Sequence, residues 1–198
     1  MKKLLLLSFL VLTTLTYSFA QEVEIAQEVE KKTSPLRVLI SGSFEFGGDE
    51  VAKVYFTNGD DQSVRAGQGG SIALGAEYQF PKVEKLLLRT TVGYKYVTTQ
   101  ADNAHIRLTR IPIHVTANWM ATEKIRLGAG LVTHQAIRFK ADEIGEDITF
   151  KGASGPVFEV AYGIVGLSYT AMKYTDQADI TYSANAIGVT ISGVFGKK

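Results

Sequence analysis

Six charged residues recur in segments that otherwise alternate between apolar and small side chains: Glu45, Glu77, Arg89, Arg110, Arg126 and Glu159. Each falls on the non-apolar parity of its segment. Opposite charges enclosed together form a structural network, whereas a charge enclosed alone is costly. The same six could instead line a narrow polar path that opens when ion-pair partners exchange. Hydrolysis would demand more, namely a nucleophile within hydrogen-bond reach of a base and an orienting group. The histidines are His105, His114 and His134. Thr116 is near His114, but no elbow or triad spacing marks an activated hydroxyl. His114 is therefore read with the six charges as part of an enclosed polar network. No catalytic residue is assigned, and the chain is not expected to be an enzyme.

Metal, phosphate and thiol chemistry find no better footing. Asp102, Asn103 and His105 share one segment, and Asp60-Asp61 and Asp142–Asp147 enrich two others with acids. None has the spacing of a calcium loop. Gly67-Gln68-Gly69-Gly70 leads into a strand, where a phosphate cradle would open a helix. No metal or other cofactor is expected. The absence of cysteine excludes disulfides and a lipid-modified N-terminal cysteine. The formal charge of +1 becomes one unit negative once Lys2 and Lys3 are removed with the leader. That near-balance gives no reason to expect nucleic acid as a partner.

The elements that must position these residues are strands. Lys2 and Lys3 precede an apolar run, Leu4–Leu15, and Ser18-Phe19-Ala20 offers small residues for cleavage, so residues 1–20 read as a signal peptide. The run is shorter than the ~20 residues of a spanning helix. Residues 21–35 read as a solvated linker containing a repeated Gln-Glu-Val-Glu. From Leu36 onward a period of two takes over, the signature of half-buried strands. Eight strands are predicted, at about 36–46, 69–80, 85–97, 106–119, 125–137, 156–162, 165–174 and 185–195. In the first, Val38, Ile40, Phe44 and Phe46 oppose Leu39, Ser41, Ser43 and Glu45. In the second and third, Tyr78 beside Leu88 brings Glu77 across from Arg89. Trp119 beside Ile125 would bring Asn118 near Arg126 and Arg110 near His134.

The connections alternate in length. Pro81–Glu84, Met120–Lys124 and Gly163-Ile164 are short; the gaps 47–68, 98–105, 138–155 and 175–184 are long. Short turns at one end and long loops at the other are the plan of an outer-membrane barrel. Asn58-Gly59 predicts a two-residue hairpin turn in the first long gap, and Gly163 suits a type II′ turn. The non-apolar face is mainly Gly, Ser, Ala and Thr, which fit the crowded interior of an eight-stranded barrel. Aromatics near the strand ends, among them Phe44, Tyr78, Phe80, Tyr94, Trp119 and Tyr162, suit interfacial girdles.

With its last strand, Ala186–Phe195, ending in an aromatic, the chain over residues 36–195 resembles the small eight-stranded outer-membrane proteins of the OmpA-barrel, OmpX and OmpW-like group. The resemblance implies an all-β chain, closed as an antiparallel eight-stranded transmembrane β-barrel over residues 36–198. It further implies a bacterial outer-membrane location, insertion by the barrel-assembly machinery, contact with outer-membrane lipid and lipopolysaccharide, and a monomer. Gly196-Lys197-Lys198 after the aromatic departs from the group's pattern, and nothing resembling a peptidoglycan-binding domain follows. The expected role is a non-enzymatic one, structural or surface-interacting. Two alternatives stay open: a narrow channel for small solutes through a charged lumen, and a soluble periplasmic lipocalin-like carrier.

Overall fold

The computed structural model describes residues 34–55, 61–101, 104–142 and 145–196. The signal peptide, all but the last two linker residues, the Asn58-Gly59 pair, Asp60, Asp102 and Asn103 lie outside them. The described strands are β1 (Leu36–Phe46), β2 (Glu50–Tyr55), β3 (Asp61–Arg65), β4 (Gly69–Gln79), β5 (Leu86–Ala101), β6 (Ala104–Met120), β7 (Ile125–Lys140), β8 (Ile148–Thr149), β9 (Ala153–Tyr162), β10 (Val165–Thr170), β11 (Lys173–Thr175), β12 (Thr181–Ser183) and β13 (Ala186–Phe195). No helix occurs among the described residues.

Eight of these strands form a closed antiparallel barrel in the order β1-β4-β5-β6-β7-β9-β10-β13, and β13 returns to β1. Closure removes the unpaired edges that an open sheet would expose. Alternation assigns the faces, since a strand turns successive side chains to opposite sides. Phe44 (68% exposed), Ile72 (75%), Leu131 (63%) and Ile187 (64%) point outward, while Leu39, Glu45, Glu77 and Ser192 point inward and are buried. An apolar exterior around a polar interior inverts the design of a soluble calyx, so the lipocalin-like alternative has its faces the wrong way round.

One end is closed by short turns. Gly163 has φ of 60° and Ile164 has none of the positive φ seen elsewhere, which is the type II′ pattern. The β6–β7 turn is closed by Thr122, whose hydroxyl accepts from the Lys124 and Ile125 amides at 3.2 and 3.0 Å. That turn pairs Met120 with Arg126 and Trp119 with Leu127, two residues away from the expected register. Asn118 consequently faces Gly128, and Pro112 rather than Arg110 faces His134.

The other end is more ordered than long loops imply. β5 and β6 stay paired within the gap expected at 98–105, as far as Ala101 and Ala104. β2 pairs with β3, and β11 with β12, as small outer hairpins. The strand expected over 165–174 instead breaks after Thr170, where the Met172 amide bonds Asn185 Oδ1 at 2.8 Å. In β7 a bulge sets Ala136 and Ile137 opposite the single residue Arg110, with Ala136 at φ 49°. An extra residue reverses the parity of the strand beyond it. Ile137 and Phe139 therefore turn inward and join Val64, Leu108, Val132, Phe150, Met172 and Tyr174 in a buried apolar cluster.

Candidate functional site

The lumen gathers its charged groups in two tiers. The tier nearer the short turns is a chain of ion pairs across the barrel. Glu77 on β4 accepts from Arg37 on β1 at 2.5 Å and lies 2.9 Å from Arg89 Nε on β5. That second contact is an ion pair without in-line hydrogen-bond geometry, since Arg89 Nε has no hydrogen-bond partner. Arg89 continues to Glu159 on β9 at 3.9 Å, and Glu159 receives Arg126 of β7 at 2.5 Å. Ser192 and Thr190 on β13 complete the circuit, Ser192 accepting from Arg89 at 3.3 Å and Thr190 donating to Glu159 at 2.9 Å.

The second tier lies toward the long-loop end. Lys95 on β5 is paired with Glu45 on β1 and donates to the Gly67 carbonyl at 2.8 Å. Arg110 on β6 is wholly buried and donates through Nη2 to the Gln68 carbonyl. Its Nε and Nη1 meet no acceptor in the protein. The Gly67-Gln68 turn thus does more than reverse the chain, because its carbonyls cap two lumen cations. Above it, His134 Nδ1 meets the Tyr174 hydroxyl at 2.5 Å.

Glycine makes room for two of the three lumen carboxylates, Glu45 and Glu159. A Cβ on Gly188 would come within 2.6 Å of Glu45 Cγ, and one on Gly166 within 3.2 Å of Glu159 Cδ and 2.5 Å of Thr190 Oγ1. Between the tiers is a cavity of about 90 Å3, walled by hydroxyls such as Ser43, Ser71, Thr91 and Thr116 and by His114. A volume of that size holds water; ligand pockets run to ~300–1,000 Å3.

All seven residues singled out in the sequence lie on the lumen face. Glu77, Arg89, Arg126 and Glu159 come together in the first tier. Glu45 and Arg110 belong to the second, and His114 lines the cavity between. The side chain of His105 is outside the described set. Missed were Arg37, Lys95 and Tyr174. The first two carry the inward parity of their strands, and Arg37 sits directly across from Glu77. Tyr174 has no such signal, because its position depends on the break after β10. Among the described residues no group of three or more His, Asp or Glu is placed to hold a metal.

No family model and no curated protein matches the chain. Solved structures with a similar fold include Neisserial surface protein A, at 15% identity and a TM-score of 0.45, and Ail, the attachment invasion locus protein of Yersinia pestis, at 8% identity and a TM-score of 0.42. Each likeness covers 80% of this chain and 97% of the other.

The lumen's chemistry is that of a strut. Every carboxylate in it is held by a cation, and the two tiers tie β1, β4, β5, β7, β9 and β13 together through their side chains. Beyond the second tier the buried apolar cluster fills the long-loop end, with Leu108, Ile137 and Tyr174 fully enclosed.

Proposed function

We propose that this is a non-enzymatic outer-membrane barrel protein that presents its long-loop end at the cell surface for contact with external molecules. The observation that carries the reading is the pairing of faces. An apolar outer band, including Phe44, Ile72, Leu74 and Leu167 at 61–75% exposure, surrounds a lumen of ion pairs. Water would penalise so much exposed apolar surface, whereas hydrocarbon accommodates it. The short turns then face the periplasm. The β2–β3 and β11–β12 strand pairs and β8 then lie at the outer end, where a surface role places its contacts.

A conduit has less support. Ion pairs span the lumen in one tier, a lysine and an arginine are capped in the next, and apolar side chains close the outer mouth. An eight-stranded barrel is ordinarily filled by its own side chains.

The test replaces residues 50–65 with a short Gly-Ser linker and compares adhesion of expressing cells to immobilised lipopolysaccharide and to untransformed cells. Loss of adhesion with the barrel still folded is the expected result; unchanged adhesion would remove the outer hairpin from the role. In planar bilayers the intact protein is expected to give no conductance steps. Steps of constant size would overturn the filled-lumen account and restore the channel.

A further inference from the structure

We propose that Arg107, Arg138 and Lys140 form a binding site for the phosphate groups of an outer-leaflet glycolipid, on the outside wall of the barrel across β6 and β7. This site rests on the membrane reading and names one of its contacts.

Strand pairing creates the site. Arg107 lies directly opposite Lys140, and Thr109 opposite Arg138, so the three cations occupy adjacent positions on two neighbouring strands. Their orientation comes from burial. Ile106 and Leu108 flank Arg107 and are buried, as are Ile137, Phe139 and Ala141 around Arg138 and Lys140. The cations therefore face away from the lumen. Only the bulge at Ala136 makes this possible, because without its extra residue β7 would turn Arg138 and Lys140 inward.

Like charges directly opposite on paired strands destabilise a sheet, and Cβ atoms there are only about 4.5–5.5 Å apart. No ion pair among the described residues relieves these three. Their strand neighbours on this face are uncharged, Thr98 across from Arg107 and Thr149 across from Arg138. Asp147, close by in sequence, turns its carboxylate back onto the Ala141 amide at 2.9 Å. The arrangement calls for an anion from outside the chain.

Its height on the barrel identifies the source. Outward on β5, Tyr94 and Tyr96 stack with ring centroids 6.4 Å apart, and Tyr96 pairs with Thr109. Paired tyrosines beside an apolar band mark the membrane–water boundary. Ile111 and Val115 lie on the hydrocarbon side of that level, and Arg107 one outward position beyond it. Cations there meet lipid headgroups, and arginine forks grip phosphate oxygens in bidentate fashion.

The experiment titrates the refolded full chain in detergent with diphosphoryl lipid A, reading retained lipid by native mass spectrometry. R107Q/R138Q/K140Q is expected to bind about 100-fold more weakly, roughly fivefold per cation. Dephosphorylated lipid A should bind the unaltered protein as weakly as diphosphoryl lipid A binds the variant. Free inorganic phosphate at millimolar concentration should not displace the lipid. Equal binding by protein and variant, or equal retention of the dephosphorylated lipid, would overturn the site. Displacement by free phosphate would overturn its assignment to lipid. The boiling-dependent gel shift checks that the variant folds; should it not, R107K/R138K keeps the charges but loses the guanidinium forks and is expected to bind diphosphoryl lipid A more weakly than the parent yet still more tightly than dephosphorylated lipid A, and equal binding of the two lipids by that variant would count against a charge-based site. An intact, vesicle-inserted barrel that ignores lipid phosphate would sink this site alone, whereas failure to insert would sink the membrane reading as well.

Discussion

Replacing Glu77 with alanine tests the lumen network at its most buried carboxylate. Glu77 is 3% exposed and stands between Arg37 at 2.5 Å and Arg89 at 2.9 Å. At an effective dielectric of about 20, each contact carries several kcal/mol of gross attraction, most of it offset by desolvation. Removal takes away the carboxylate that Arg37 pairs with and leaves Arg89 only Glu159, 3.9 Å away, which Arg126 already holds at 2.5 Å. Breaking a buried pair by deleting one partner costs about 3–5 kcal/mol. The neighbouring cavity, roomy enough for water, places Glu77→Ala near the low end, about 3 kcal/mol. Glu77→Gln keeps the volume but not the charge and should lose at least about 2 kcal/mol on the same reasoning. The assay is urea unfolding of the full chain in phospholipid vesicles. Trp119, the only tryptophan in the sequence, faces outward and reports loss of lipid contact by its fluorescence. Midpoints matching the parent in both variants would refute the reasoning that these ion pairs brace the barrel.

The faces and the packing set further expectations. Val189 faces outward between Phe44 and Leu167 on the adjoining strands, so Val189→Arg should cost about 2–4 kcal/mol of folding free energy near the bilayer midplane. Folding yield in vesicles measures it, and tolerance would mean the faces are reversed. Gly166→Val would drive a side chain into Thr190 and Glu159 and should destabilise by about 1–3 kcal/mol through overpacking, read from the same urea curves. Tyr174 lies in β11, beyond the membrane-spanning strands, and burial pushes its phenol up to about 12 from 10.0. A raised value means that its contribution to stability is whole below about pH 10 and is lost as pH rises through about 12. Phenolate absorbance should show one tyrosine titrating late, and the late step should vanish in Tyr174→Phe.

Period-two alternation exposed the barrel because every spanning strand has one face in each of two unlike environments, and β1 was legible to its end residues. The lateral pairing of Glu77 with Arg89 was legible too, since the short β4–β5 turn leaves little freedom of register. The β6–β7 register was not, because it depends on where Thr122 closes the turn rather than on any apolar pattern. Two further features depend on the tertiary fold. Parity places Ile106 and Leu108 inward, but among their apolar partners Val64 and Phe150 come from segments that alternation alone leaves as loops, and Tyr174 from the end of an expected strand that breaks after Thr170. The Ala136 bulge carries no glycine or other turn signal, so the reversal that sends Ile137 inward and Arg138 outward was hidden. Lys95 was legible as inward but not as Glu45's partner, since β4 intervenes between β1 and β5.

Gel mobility of the outer-membrane fraction, run unheated beside boiled, tests the central claim most directly. A closed barrel with its apolar face outward should resist detergent at room temperature, so the account predicts a band that shifts on boiling and is found with the membrane. A protein released in soluble form from the periplasm, with the same mobility before and after boiling, would contradict it.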